Sequence, residues 1–262
     1  MAAIDRQNVI RMKSNRTYSI VIPAYNESER LRPTLDKVLA HDAAQGWNAE
    51  IIVVNDGSKD DTAEIVREYS RRYPNVRLVE NPGNRGKGYA VKNGMLHATG
   101  DIQLMTDADL SAPIYEAGKL FAAIEAGADV AIGSRWLDAR TQTARQSLVR
   151  QLGGRGFNLA IRVVLGLRQT DTQCGFKAFT RDASQKLFPL QRVDRWGFDP
   201  ELLYLAKRFR MRVDEVAVEW AHDERSKVNP LRDGFRILND VIQVRRNAMA
   251  GKYAARPAAV AA

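Results

Sequence analysis

The sequence predicts an α/β protein: a mostly parallel central sheet flanked by helices on both faces. Short runs rich in Ile and Val recur at residues 18–23, 50–55, 76–80, 102–106 and 129–133, and longer amphipathic segments separate them. Apolar runs this short, bounded by polar turns, read as buried strands. Repeated alternation of strand and helix returns each strand parallel to the last. The chain has 262 residues, 45% of them hydrophobic, which is enough to build a substantial core and excludes a disordered chain.

The elements follow in order. Helices are expected over 29–44, 61–73, 88–97 and 113–126, with Asp60 or Asp61 capping the second, and Ser111 capping the fourth ahead of Pro113. Beyond Arg135 come a basic, partly apolar stretch over 145–167, a glycine-containing run over 171–180, a segment over 196–206, a strand-like 213–220 and a helix-like 231–253. Gly153-Gly154 predicts a break in the first of these, and Asp199 before Pro200 can cap a helix. The expected organisation is a polar extension over 1–16, a main domain over 17–229, an amphipathic basic helix over 230–253 and a disordered Ala/Pro tail over 254–262.

Charge and cysteine narrow the setting. Forty Lys+Arg against 31 Asp+Glu give a net charge of +9, which attracts phosphate-rich partners. Reader motifs for nucleic acid and an aromatic-studded basic strand are missing, so the expected anionic partner is a membrane surface. A single cysteine, Cys174, supports neither a disulfide scaffold nor a thiolate metal cage. With a polar start at 1–16 and no run of about 18 to 20 apolar residues, the expectation is a cytoplasmic protein, peripheral on the cytosolic face of the membrane.

In a parallel sheet the ligand lies beyond the carboxyl ends of the strands, so the loops there carry the chemistry. Asp107-Ala108-Asp109 follows the fourth strand. Two carboxylates so close repel unless a cation joins them, and hard oxygen donors favour Mg²⁺ or Mn²⁺, although a plain solvated turn accounts for the same residues. Asp56 in Asn55-Asp56-Gly57-Ser58 can accept from a nucleobase N–H or simply make the turn. Gly83 to Gly88, around Arg85 and Lys87, can bring N–H groups and cations to a phosphate. Its spacing is neither GxGxxG nor GxxxxGK[ST], which removes dinucleotide and Walker-type readings.

These pieces together resemble the GT-A fold, family 2 inverting glycosyltransferases. The match runs from Tyr18 to about Asn229 and rests on Ile20-Val21-Ile22-Pro23-Ala24-Tyr25-Asn26-Glu27, Val53-Val54-Asn55-Asp56-Gly57-Ser58, Gly86-Lys87-Gly88, Asp107-Ala108-Asp109 and Gly133-Ser134-Arg135. In the second half, Asp171-Thr172-Gln173-Cys174-Gly175-Phe176-Lys177-Ala178-Phe179, Trp196-Gly197-Phe198-Asp199-Pro200-Glu201-Leu202-Leu203 and Glu224-Arg225-Ser226-Lys227-Val228 look like the dolichyl/polyprenyl-phosphate β-glucosyltransferase branch.

The resemblance implies transfer of glucose from UDP-glucose to a polyprenyl phosphate with a divalent metal. The alternatives are a soluble relative with a small phosphorylated or hydroxyl acceptor, or a GDP-mannose donor. It implies that Pro23, Tyr25, Glu27 and Asp56 line the nucleoside pocket, that Asp107 and Asp109 hold Mg²⁺ or Mn²⁺, and that Arg135 meets a phosphate. Lys87 would face the sugar or diphosphate, and Asp199 would serve as base or orient sugar hydroxyls. Arg150, Arg155, Arg225 and Lys227 would receive the acceptor phosphate. Arg145, Arg150, Arg155 and Arg162 interleave with Leu148, Leu152, Phe157, Ile161, Val164 and Leu165, while Leu231, Phe235, Leu238 and Ile242 repeat at helical spacing among arginines. Both stretches fit interfacial helices on anionic headgroups, or surface helices packing an apolar stripe.

Overall fold

The computed structural model describes residues 16–138, 148–220 and 230–254. The first half alternates as the sequence predicts: β1 (Tyr18–Ala24), α1 (Ser28–Gln45), β2 (Glu50–Asn55), α2 (Thr62–Arg72), β3 (Val76–Glu80), α3 (Lys87–His97), β4 (Ile102–Met105), α4 (Ala117–Glu125) and β5 (Val130–Ser134). Then follow α5 (Leu148–Leu165), β6 (Lys177–Thr180), α6 (Arg181–Leu187), α7 (Phe198–Arg208), β7 (Val213–Ala217) and α8 (Pro230–Met249). Among the described residues the strands form one seven-stranded sheet in the order β3-β2-β1-β4-β6-β5-β7. Strands β1 to β4 pair parallel, as do β5 and β7, while β6 runs antiparallel between β4 and β5.

Alternation along each strand sorts side chains into two buried layers. Ile20, Ile22, Ile51 and Val53 face α1, α2 and α4, where Leu35, Val66 and Phe121 complete one cluster. Val21, Ile52 and Val54 face the other way, in a second cluster with α3, α6, α7, the C-terminal half of α5 and the middle of α8, where Met95, Leu187, Phe198, Ile161 and Val241 are buried. Burial on both faces is why these strands read as continuous apolar runs.

Several local expectations are corrected. The helix expected over 113–126 is a 3₁₀ turn at Ile114–Glu116 followed by α4, and Ser111 caps neither, because the cap positions fall on Pro113 and Glu116; its own N–H donates to Asp109 Oδ1 at 2.9 Å. Helix α5 runs through Gly153-Gly154 without a break. The run over 171–180 ends in β6 and leads into α6, whose cap is Thr180 Oγ1 accepting from the Ala183 N–H. Helix α7 begins at Phe198, so Asp199 lies in its first turn rather than at its cap. On α8 the core stripe is Ile237, Val241 and Val244, whereas Phe235, Ile242 and Met249 point outward.

Candidate active site

Beyond the carboxyl ends of β1 and β2, two loops are stitched together by short polar contacts. Asn26 adopts φ 52°, a left-handed conformation that asparagine tolerates. Its N–H donates to Ser58 Oγ at 2.9 Å and its Oδ1 accepts from the Lys59 N–H at 2.8 Å. Asp60 accepts from the Ser28 and Thr62 N–H groups, and Thr62 Oγ1 accepts from the Glu27 N–H at 2.8 Å. This web positions Pro23, Tyr25 and Glu27, all half-buried. Glu27 holds the Arg30 guanidinium at 2.7 and 2.9 Å, and Arg30 Nη1 lies 4.0 Å from Asp109 Oδ2. The β1 loop is thereby joined to the carboxylate pair beyond β4.

Asp56 is buried and engaged on both oxygens: Oδ1 accepts from Asn81 Nδ2 at 2.7 Å and the Arg85 N–H at 3.0 Å, and Oδ2 from the Gly86 N–H at 2.8 Å. It shapes the glycine loop from inside, so any nucleobase contact would use the lone-pair capacity these donors leave. Gly86 has φ 110°, and a Cβ there would stand 2.5 Å from the Asp194 carbonyl oxygen. Only glycine lets the loop pass the 191–197 segment this closely.

After β4 the chain turns sharply. Leu110 takes φ 48°, which for a branched side chain costs about 1 to 2 kcal/mol, and its N–H donates to the Asp107 carbonyl. Thr34 Oγ1 donates to the Ala108 carbonyl at 2.6 Å, fixing the turn from α1. Lys87 Nζ lies 2.5 Å from Asp107 Oδ1 and 5.2 Å from the centroid of the Trp196 ring. Burial alone would lower its pKa, but Asp107, Asp199 and Asp109 together hold it above the ordinary lysine value. On the other side of Asp107, a Cβ on Gly175 would fall 2.6 Å from Oδ2, so only glycine lets the backbone there pack this closely against the carboxylate.

Two further charged groups come from the second half. Arg135 forms a fork with Asp171, Nε–Oδ2 2.7 Å and Nη2–Oδ1 2.8 Å, and its guanidinium lies 5.6 and 5.0 Å from the rings of Trp136 and Trp220. Burial alone would raise the Asp171 carboxyl, yet Arg135 holds it below the usual carboxylate range, and Arg135 is itself raised. Asp199 accepts from Lys177, whose ammonium also reaches the Cys174 carbonyl; Lys177 is completely buried. Burial pushes the Cys174 thiol up to about 12, which keeps it protonated and unreactive.

The structure therefore gathers Glu27, Lys87, Asp107, Asp109 and Asp199, with Asp56 behind the glycine loop and Arg135 on the buried Asp171. Arg155 is exposed on α5 and makes no contact with this group, and the side chain of Arg150, together with Arg225 and Lys227, lies outside the described residues. Sequence reasoning assigned no role to Arg30, Asp171, Gly175, Lys177 or Trp196. Lys177 carried a signal, because a lysine between Phe176 and Ala178-Phe179 in a buried strand requires a carboxylate partner.

Among the described residues no group of three or more His, Cys, Asp or Glu could enclose a metal ion. Asp107 and Asp109 nevertheless fit Mg²⁺ or Mn²⁺ by their donor chemistry: two hard-oxygen carboxylates at a strand mouth match an ion that takes its remaining ligands from water and phosphate.

Solved structures share this architecture. Glucosyl-3-phosphoglycerate synthase from Mycobacterium tuberculosis, in complex with Mn²⁺, UDP and glucosyl-3-phosphoglycerate, aligns at a TM-score of 0.61 over 95% of this chain and 84% of that one. At 21% identity the likeness is one of fold. Fold and sequence together place the molecule among the glycosyltransferases. The profile described as Glycosyl transferase family 2 matches residues 19–188, and the chain belongs to that family. It is 41% identical over 240 residues to a dolichyl-phosphate beta-glucosyltransferase of Trichomonas vaginalis, covering 86% of this chain and 70% of the relative. To the Homo sapiens dolichyl-phosphate beta-glucosyltransferase it is 35% identical over 254 residues, covering 90% and 76%.

Proposed function

We propose that this glycosyltransferase moves glucose from UDP-glucose, with inversion, to the phosphate of a polyprenyl or dolichyl phosphate at a membrane surface. The observation that carries the reading is the Lys87–Asp107 pair at the mouth of β4, beside Asp109, in a chain similar over most of its length to dolichyl-phosphate glucosyltransferases. The stitched β1 and β2 loops form the nucleoside side of the site. A divalent ion on Asp107 and Asp109, when bound, neutralises the departing diphosphate, worth several kcal/mol of barrier. Lys87, held cationic by its carboxylate neighbours, offers a second positive charge at the same place. An acceptor phosphate with a second pKa of about 6 is largely ionised at neutral pH and attacks without a base. That fits an Asp199 engaged by Lys177, a carboxylate placed to orient sugar hydroxyls.

No helix among the described residues is long and apolar enough to cross a membrane. The surface reading rests instead on α5 and α8, where Leu159, Val163, Phe235, Ile242 and Met249 are exposed among arginines.

The test is a transfer assay of the full chain with UDP-glucose or GDP-mannose, polyprenyl phosphate, and Mg²⁺, Mn²⁺ or chelator. Glucose transfer is expected only with metal, and Asp109→Asn should lower it about a thousandfold, equivalent to about 4 kcal/mol, while leaving the unfolding midpoint in place. Undiminished transfer in chelator, or a preference for GDP-mannose, would overturn the reading.

A further inference from the structure

The segment 191–197 is clamped from three sides. Glu201, fully buried, accepts from the Arg192 N–H at 3.0 Å, the Val193 N–H at 2.9 Å and the Tyr253 hydroxyl at 2.5 Å. Gln191 Nε2 donates to the Gly88 and Val193 carbonyls at 2.9 Å, and the Asp194 carbonyl accepts from the Tyr89 N–H at 2.9 Å. At its far end Gly197 lies so near α8 that a Cβ would stand 2.4 Å from the Asp240 Cβ. The segment thus bridges the start of α3, where Lys87 stands, and the middle of α8.

Between segment and helix lies a cleft of ≈ 490 Å³ lined by Arg195, Trp196, Arg236, Asn239 and Asp240. Among the described residues its charged groups are two guanidiniums and one carboxylate, and that carboxylate, on Asp240, accepts from the Gly197 N–H and faces Arg195. The described lining carries a net positive charge, and planar guanidinium forks suit phosphate oxygens. The indole of Trp196 is the wall shared with the catalytic group, with the Lys87 ammonium 5.2 Å from its ring centroid. On α8, Phe235 directly precedes Arg236 and is 72% exposed, and Ile242 and Met249 continue the outward ridge at seven-residue spacing.

We infer that this cleft receives the phosphate monoester of the acceptor, with Arg195, Arg236 and Asn239 as its recognising groups and the Phe235 ridge as the track for an attached hydrocarbon. The inference rests on the proposed reaction for its acceptor, but it gives the phosphate to other groups than the Arg150, Arg155, Arg225 and Lys227 that the resemblance implies. A phosphate held here is one indole away from Lys87 and Asp107. It therefore approaches the donor from the α8 side rather than from the nucleotide loops.

Calorimetric titration of the full chain with a soluble ten-carbon isoprenyl phosphate and with glycerol 3-phosphate tests this directly. Arg195→Ala and Arg236→Ala should each weaken isoprenyl phosphate about tenfold, as loss of a charge-assisted hydrogen bond does, with UDP affinity unchanged within twofold and the unfolding midpoint retained. Arg236→Lys should recover part of the loss. Phe235→Ser should weaken the isoprenyl compound and leave glycerol 3-phosphate untouched; equal losses for both would remove the hydrocarbon track. Binding indifferent to both arginines would overturn the cleft. Transfer assays on the same proteins separate the two readings: arginine-dependent binding without glucose transfer sinks the reaction and keeps the cleft. Normal transfer with an acceptor KM indifferent to both arginines keeps the reaction and sinks the cleft.

Discussion

The two halves of the molecule handle charge in opposite ways. On the outside of the first half, Arg32, Arg67, Arg71 and Arg77 meet Glu68, Glu80, Glu64 and Glu50 at 2.7 to 3.1 Å. In the second half two carboxylates turn inward, Asp171 to Arg135 and Asp199 to Lys177, both of them buried, beside a surface pair between Arg212 and Asp214 at 2.6 Å. Among the described residues Arg155, Arg168, Arg245 and Arg246 then stand on α5, just beyond it and on α8 without an ion pair. The chain's +9 is therefore distributed unevenly: largely neutralised on the first half and concentrated in the second, α5 and α8 included. Surface pairs such as those of the first half contribute little stability, about 0 to 1 kcal/mol each, whereas inward pairs cannot be broken cheaply.

The sharpest way to break the contrast is from inside. Asp171→Ala leaves Arg135, whose side chain is only 24% exposed, without its fork, and should cost about 3 kcal/mol in urea unfolding. Replacing both partners, Arg135→Met with Asp171→Leu, should recover most of that stability while abolishing transfer. The pH dependence has a definite sign. Because Asp171 titrates lower in the folded protein than unfolded, its contribution is complete above the ordinary carboxylate pKa of about 3.9 and is lost as pH falls through the depressed value. Asp171→Asn should lack that acid-side loss.

The first-half counterpart is Asp56→Ala, which strands the Asn81 amide and the Arg85 and Gly86 N–H groups. Residues 82–85 are exposed, so water can reach part of the loop, and about 2 kcal/mol is expected by thermal or urea unfolding. Nucleotide binding sharpens its role. If Asp56 acts through the glycine loop, UDP and ADP lose affinity by the same factor; if it also reads the base, UDP loses more.

The same contrast explains what could be read from the chain. The loops after β1, β2 and β4 are local: Asn26, Glu27, Asp56 and the Asp107-Ala108-Asp109 turn follow directly on strands whose Ile/Val runs are unmistakable, so fold class and carboxylate pair were legible together. Asp171 lies 36 residues from Arg135, and Lys177 lies 22 from Asp199. No periodicity reports such pairings, because they exist only once β6 has been inserted antiparallel between β4 and β5. The helical period on α8 was plain, but its faces were not. Leu231, Phe235, Leu238 and Ile242 form a regular stripe in the sequence, while the core takes Ile237, Val241 and Val244, roughly a third of a turn around the helix.

That displaced stripe sets the smallest and most direct test. A helix whose outward pole carries Phe235, Ile242 and Met249, with Arg245 and Arg246 beside them, has the composition of a helix lying in a lipid interface. Each arginine near an anionic surface contributes about 1 kcal/mol at low ionic strength, an attraction screened within about 8 Å at physiological salt. The full chain should therefore sediment with phosphatidylserine-containing vesicles at low salt and release as salt is raised. Arg245→Glu with Arg246→Glu should weaken partitioning at least tenfold, and Met249→Asp, which takes an 82% exposed side chain out of the apolar ridge, by less. Arg67→Glu with Arg71→Glu changes net charge by the same amount in the first half, where both arginines already face carboxylates. If this pair released the protein from vesicles as effectively as the α8 pair, binding would follow total charge alone and the division of labour between the halves would fail. Release confined to the α8 variants, with UDP affinity unchanged, locates the lipid-facing charge on the second half.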